Sequence, residues 1–349
     1  VLGVQYHHLL AHTRLSMPFL GHYGRLLGVQ LFSLISGYLI IQSAQTSTVS
    51  AYLLRRVLRI FPVYWLAVMS WSIWYGKLNS GLLHQGWADF LVNLLALTHF
   101  VPAALFGFDV LTVSWTLSIE LAWYALAPLI AYLARSWPSK GFWLALLLAT
   151  LLVSSAWVWL AQGGKLDFLY AAALARAGIV PISDFARFAF VINALPAQLV
   201  FFSMGALLWR YQAELSILPT WLLLMVMVTL AGWPEQWNQW LHLNPSPASG
   251  VGLAALFILV LRQQRWSLPL LKWLGVLSYP VYLLHVLILL LVFQQWHISG
   301  WTGAALALSI ILAAAAVLHR WVEQPCIAWG QTLISAGTKK HHAYPAQTV

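Results

Sequence analysis

Charge is what this sequence has least of. Of its 349 residues 7% are Asp, Glu, Lys or Arg and 61% are hydrophobic, whereas a soluble domain carries roughly 25% charged residues. An ordinary soluble fold is excluded, and a chain folded within a bilayer takes its place. Long polar stretches are missing as well. No segment reaches the length of about 100 residues that a separate soluble domain needs, so one membrane domain fills the chain. There is one cysteine, Cys326, which rules out an intrachain disulfide. Neither an internal repeat nor a glycine-rich phosphate loop is present. The first apolar run has no basic region before it and no small-residue cleavage site after it, and so reads poorly as a cleaved secretory signal.

What is present is apolar helix, punctuated by a few ionisable groups. The net charge of +10 comes from 18 Lys and Arg against 8 Asp and Glu. The basic residues are scattered singly and in pairs, and the aromatics sit inside apolar runs instead of between charges, so membrane lipid, not nucleic acid, is the expected partner. Windows of about 17 to 25 apolar residues predict spans near 1–12, 24–45, 57–76, 115–134, 142–162, 191–209, 216–233, 249–262, 272–295 and 301–320. The run at 1–12 falls short of the about 20 residues of a full span, which makes the first helix look truncated at its N-terminus.

A further apolar stretch at 87–105 is ambiguous. If it does not cross, Arg55, Arg56, Arg59, Arg135, Lys140, Arg210, Arg262, Arg265, Lys272, Arg320, Lys339 and Lys340 share one side, twelve of the 18 basic residues. The positive-inside rule then makes that side cytoplasmic, with both termini inside. The stretch is accordingly expected to be re-entrant or to lie on the outer face, where protein or a watery cavity must surround any non-helical backbone. The two longest hydrophilic stretches, about 163–190 and 234–248, come out external. The second, "WPEQWNQWLHLNPSP", is rich in Trp and suits either an interfacial anchor or a sugar-stacking surface. The tail from about 335, "AGTKKHHAYPAQTV", is polar and is expected to be unstructured.

Ionisable groups within spans are costly, and each is a candidate for function. In "VQYHHLLAH" His8 and His12 lie four apart on one helix face, but no third ligand is spaced to join them and no metal site is expected. His7 or His8, with a side chain that titrates near neutrality, suits a general base; a plain interface role is the alternative for His12. In "GVQLFSLISGYLI" the small residues Gly28, Ser33, Ser36 and Gly37 permit close helix approach, and Gln30 is the one amide able to reach a ligand. Arg56 and Arg59, three apart, suit a phosphate held by guanidinium forks, or else anchor the topology by snorkelling. Pro62, one turn on, removes a backbone hydrogen bond. "VSWTLSIELAWYALAP" carries Glu120 in a helix with no basic residue, so it must be protonated or find a distant donor, for which a His or Arg from another helix is the natural candidate. "LSYPVYLLH" places Tyr279, Tyr282 and His285 in one helix, suited to cross-helix hydrogen bonds. "VEQP" closes the last span with Glu323 and Pro325.

These six stretches, in this order from the first residue to about 325, resemble acyltransferase family three, integral membrane proteins that move acyl groups from acyl-coenzyme A to sugars of surface and secreted glycans. "VLGVQYHH" looks like the end of the family's first-helix motif, with His7 as the family histidine and its arginine falling upstream of Val1; His8 is the alternative if the register slips by one. "GVQLFSLISGYLI" resembles GV-x-x-FF-x-x-SG, with Ser33 where a second Phe is usual. Arg56 and Arg59 match R-x-x-R, followed by Pro62 and Tyr64. Ser114, Trp115, Glu120 and Pro128 are similar to the SWSL-x-x-E segment, Tyr279, Tyr282 and His285 to SY-x-x-YL-x-H, and Glu323 and Pro325 to the E-x-P end.

The resemblance implies an all-α membrane protein of about ten helices, with an acyltransferase domain over 1–325 and a short cytoplasmic tail over 326–349, in a bacterial-type inner membrane. It implies an acyl-coenzyme A donor, most commonly acetyl-coenzyme A, and a glycan or lipid-linked sugar acceptor. Catalytic residues would be His7, His8 and Glu120; Arg56, Arg59, Gln30, Ser36 and Tyr64 would meet the donor, and Ser114, Trp115, Tyr282 and His285 the acceptor. A transporter or flippase for a lipid-linked sugar would also bury Glu, His and Arg in a helical bundle, but would be expected to show inverted repeats. A purely structural subunit would not need ionisable groups at several depths.

Overall fold

The computed structural model describes residues 20–74, 86–107, 111, 114–176, 178, 180–182, 187, 190, 194–232, 246–263 and 269–342. His7, His8 and His12, with the expected span at 1–12, lie outside these residues, as does most of the Trp-rich 234–248 stretch. Every regular element among the described residues is helical. That follows from the composition, because in hydrocarbon each backbone group must be paired within its own segment.

The described residues hold fourteen α-helices. They are α1 Leu20–Gln45, α2 Val49–Trp74, α3 Gly86–Leu94, α4 Pro102–Gly107, α5 Trp115–Ser136, α6 Lys140–Gln162, α7 Ala171–Arg176, α8 Leu195–Arg210, α9 Gln212–Leu215, α10 Thr220–Ala231, α11 Pro247–Arg262, α12 Pro269–Leu290, α13 Gly300–Leu318 and α14 Gln324–His342. Among the described residues, six stretches are long and apolar enough to cross a membrane: Leu27–Gln45, Val49–Trp74, Trp115–Ser136, Lys140–Gln162, Pro269–Gln295 and Gly300–Ala336. The expected spans at 191–209, 216–233 and 249–262 correspond to α8, α10 and α11, which are helical but shorter, at 16, 12 and 16 residues.

The centre of the bundle is the crossing of α1 and α8, and glycine makes it possible. A Cβ on Gly37 would stand 2.0 Å from the Phe202 carbonyl oxygen, and one on Gly205 would stand 2.0 Å from that of Leu34. The two backbones therefore touch, the small-residue mode of packing that membrane helices favour.

The direction of α5 settles the path of the ambiguous segment within the bundle. Ser36 bonds Glu120 and Gln45 bonds the Ala131 carbonyl, so α5 runs parallel to α1. The short 46–48 turn makes α2 antiparallel to α1, and α5 consequently begins at the end where α2 finishes. Between them, the 86–107 stretch is broken into α3, a 3-10 turn at Thr98–Phe100 and α4, with no continuous helix. It dips to the level of Tyr64 and Trp65, whose side chains donate to the Asn93 and Leu94 carbonyls.

Two expectations need correction. α2 begins at Val49, not near 57, because the polar 46–48 stretch forms a turn that the helix grows out of; Arg55 and Arg56, expected just before the span, thus lie within the helix. The C-terminal region, expected to be unstructured from about 335, is helical to His342. Its first half packs along α2, with Gly330 against Leu58, and that support carries the helix past its apolar part.

Candidate active site

The polar residues of α5 lie on two faces of the helix, Ser114 and Ser118 on one and Thr116, Glu120 and Tyr124 on another. Ser114, at the start, shares a hydrogen bond of 3.1 Å with Thr98 of the 3-10 turn, and Ser118 lies 3.5 Å from the same hydroxyl. Thr116 meets Tyr282 of α12 at 2.6 Å. Glu120, buried at 8% exposure, accepts from Ser36 of α1 at 3.0 Å and from Tyr124, one turn on, at 2.5 Å. Among the described residues its partners are thus hydroxyls; His7 and His8, candidates for the expected partner, lie outside them. Both bonds fall on Oε1, and among the described residues Oε2 receives none.

Tyr124 links this carboxylate to the arginines. The Arg56 guanidinium sits over the rings of Tyr52 and Tyr124, 5.7 and 5.4 Å from their centroids, a cation–π arrangement. The Tyr52 hydroxyl donates to the Tyr124 carbonyl, which fixes the pair of rings. The Arg56 Nε is buried with no hydrogen-bond partner among the described residues. Arg59 turns the other way, toward Glu323, with Nε 3.8 Å from Oε1. The R-x-x-R pair therefore divides, one arginine facing α5 and the other the last helix. Tyr279 bridges the region by donating to the Ile60 carbonyl at 2.8 Å.

The remaining expected residues are placed as follows. Gln30 Oε1 accepts from Ser249 at 2.7 Å, which ties α1 to α11 on a flank away from the arginines. Tyr64 donates to Asn93 and faces α3. Trp115 lies beside Thr116 in the first turn of α5, its ring 6.5 Å from that of His99. His285 Nδ1 bonds the Tyr282 carbonyl at 2.6 Å, so this histidine backs the tyrosine that meets Thr116. The site thus gathers Ser36, Arg56, Arg59, Ser114, Trp115, Glu120, Tyr282 and His285, and leaves Gln30 and Tyr64 at its edges.

Four residues join the site that sequence reasoning passed over. Tyr124 and His319 each stand four residues from a glutamate, Glu120 and Glu323, a helical spacing that was legible. Tyr52 carried no such signal. Nor did His99, which is 4% exposed and lies in the broken segment, stacked on Phe190 with ring centroids 6.0 Å apart. Burial pulls its pKa down to about 4, and the Phe190 backbone is the one polar group that opposes the shift, so the ring is neutral at physiological pH. Phe190 in turn packs on Tyr170, whose hydroxyl donates to Asp167. Asp167 is held below the usual carboxylate range by hydrogen bonds from Arg187 at 2.6 and 3.0 Å.

A multi-pass helical bundle with a buried carboxylate, flanked by hydroxyls toward one end and guanidinium groups toward the other, defines a multi-pass integral membrane protein. The chain belongs to acyltransferase family three, whose description, "Acyltransferase domain", matches residues 1–320; it is a membrane acyltransferase. It is 28% identical over 334 residues to Nodulation protein 10 of Rhizobium leguminosarum bv. viciae, covering 88% of this chain and 84% of that protein. It is 25% identical over 332 residues to Acyltransferase MdmB of Streptomyces mycarofaciens, covering 86% and 80%. Over 134 residues, 35% of this chain and 40% of the relative, it is 31% identical to the exopolysaccharide production protein ExoZ of Rhizobium meliloti strain 1021. No solved structure matches the chain.

Proposed function

We propose that the protein transfers an acyl group, acetyl in the commonest case of its family, from cytoplasmic acyl-coenzyme A to a hydroxyl of a surface or exported glycan, or of its lipid-linked precursor. The observation that carries this reading is Glu120, buried in α5 and bonded to Ser36 and to Tyr124, over whose ring the Arg56 guanidinium sits. In a bacterial-type inner membrane of about ten spans, α8, α10, α11 and the 1–12 run would complete the six long helices, and the 86–107 stretch would be re-entrant. The arginine end would face the cytoplasm, as the positive-inside rule requires.

Arg56 and Arg59 would meet the donor's phosphates. His7, or His8 if the register slips, would take the proton from the acceptor hydroxyl as its oxygen attacks the thioester carbonyl carbon; the carbon–sulfur bond then breaks, and the departing thiolate takes the proton back from the histidine. Glu120 has one oxygen committed to Ser36 and Tyr124, which leaves Oε2 to orient that imidazole. Ser114, Trp115, Tyr282 and His285 would line the acceptor's approach. ExoZ, similar over 35% of this chain, is named for exopolysaccharide production, which favours a polysaccharide acceptor.

The test is release of free thiol from acetyl-coenzyme A by purified protein with a panel of sugar acceptors, comparing wild type with His7→Ala and His8→Ala. Acceptor-dependent thiol release lost in His7→Ala, with coenzyme A still bound, supports the reading. Full activity in both variants would remove the base from this helix.

A further inference from the structure

Arg59 does not stand alone. Its Nε faces Glu323 Oε1 at 3.8 Å, and Glu323 Oε2 accepts from His319 Nδ1 at 2.8 Å. The exposures are unequal: Glu323 is 2% exposed, whereas the Arg59 side chain is 51% exposed. That inequality sets the direction in which the arginine works. A guanidinium approached at Nε by a buried carboxylate has its two Nη groups, the fork that matches a phosphate, left for the open side.

The carboxylate is itself arranged for this. A buried charge persists only when paired and hydrogen-bonded; Arg59 supplies the charge and His319 the hydrogen bond. Because a carboxylate oxygen accepts, His319 Nδ1 carries the proton. The chain brings the residues together through a local irregularity. Pro325 has no N–H to give to the preceding turn, and the helix widens into a π turn over His319–Glu323 just before it. π turns of this kind concentrate at functional sites.

We propose that Glu323 and His319 are positioning residues that hold the Arg59 guanidinium with its Nη fork outward to receive a phosphate of the acyl-coenzyme A donor. This rests on the donor reading above. Neither residue touches the donor. Their effect is to order in advance a long side chain that would otherwise lose rotamer freedom on binding.

The experiment is titration of purified full-length protein in lipid nanodiscs with coenzyme A and with pantetheine, which lacks the phosphates. The variants are Glu323→Gln, His319→Phe, and His319→Asn, whose amide keeps an N–H donor near the Nδ1 position. Coenzyme A affinity is expected to fall about tenfold in Glu323→Gln and His319→Phe and to recover in His319→Asn. Pantetheine affinity is expected to stay at the wild-type value in all three. An equal loss for coenzyme A and pantetheine would show a structural role only and overturn the proposal, as would unchanged coenzyme A affinity in His319→Phe. Failure of the wild type to bind coenzyme A would overturn the donor reading, and this inference with it; wild-type binding with unaffected variants would overturn this inference alone.

Discussion

At the scale of single residues, the site is defined by how a carboxylate is kept in an apolar helix. Glu120 has two hydroxyl donors on one oxygen, and the Arg56 guanidinium stands over the ring of one of them, Tyr124. Glu120→Gln isolates the charge, because the amide oxygen can still accept from Ser36 and Tyr124 while the anion is gone. Acyl transfer is expected to fall by roughly a hundredfold or more, the scale on which acid–base partners act, with coenzyme A affinity near the wild-type value. Comparing kcat for thiol release with equilibrium coenzyme A binding checks this; a matching loss of both would make Glu120 a structural residue. Glu120 itself was legible in the sequence as a lone carboxylate in an apolar window, and Tyr124 as its i+4 neighbour. The division of Arg56 from Arg59 was not. Two side chains three apart start on one face, and only the tertiary neighbours, Tyr124 on one side and Glu323 on the other, turn them apart.

At the scale of elements, close approach decides which glycines matter. A Cβ at Gly37 or Gly205 would stand 2.0 Å from a backbone carbonyl oxygen, whereas a Cβ at Gly275 in α12 meets nothing within 4 Å. Gly37→Ala or Gly205→Ala must push α1 and α8 apart, an overpacking penalty on the order of 3 kcal/mol. Gly275→Ala adds only helix propensity and is expected to stabilise by about 0.5–1 kcal/mol. Thermal unfolding of the three variants in one detergent separates the cases, and equal melting temperatures would contradict the packing described. The small-residue pattern of 28–37 revealed that a helix would come close, but not which one. The partner glycine, Gly205, is 168 positions further on, and no local period connects the two. Helix lengths were less legible for a related reason. Hydropathy windows read apolar content, while a helix end is set by turns such as 46–48 and by packing such as that of α14 on α2.

For the whole molecule, the sense of crossing follows from which ends gather. The Tyr211 hydroxyl donates to the Lys140 carbonyl, and Arg262 reaches the Leu215 and Leu218 carbonyls, so the basic termini of α6, α8 and α11 meet at one end. α5 also finishes there, beside Gln45, and this is the end at which Arg55 enters α2. The charge pattern implied this grouping only on the condition that 87–105 does not cross, and hydropathy cannot decide that, because a broken segment and a span of equal apolarity score alike. The arrangement of α1, α2 and α5 satisfies the condition, and it fixes an outcome for cysteine labelling. With Cys326→Ser removing the single native thiol, Lys140→Cys and Arg210→Cys are expected to react with a membrane-impermeant maleimide only after the cells are opened. Lys165→Cys, beyond the far end of α6, is expected to react in intact spheroplasts. If 87–105 crossed, every later loop would change sides: Lys140→Cys would label from outside and Lys165→Cys would be protected. The arginines of α2 would then no longer share an end with Arg210 and Arg262, and a donor entering beside Arg59 would meet the bundle from a side that the other basic loops do not face.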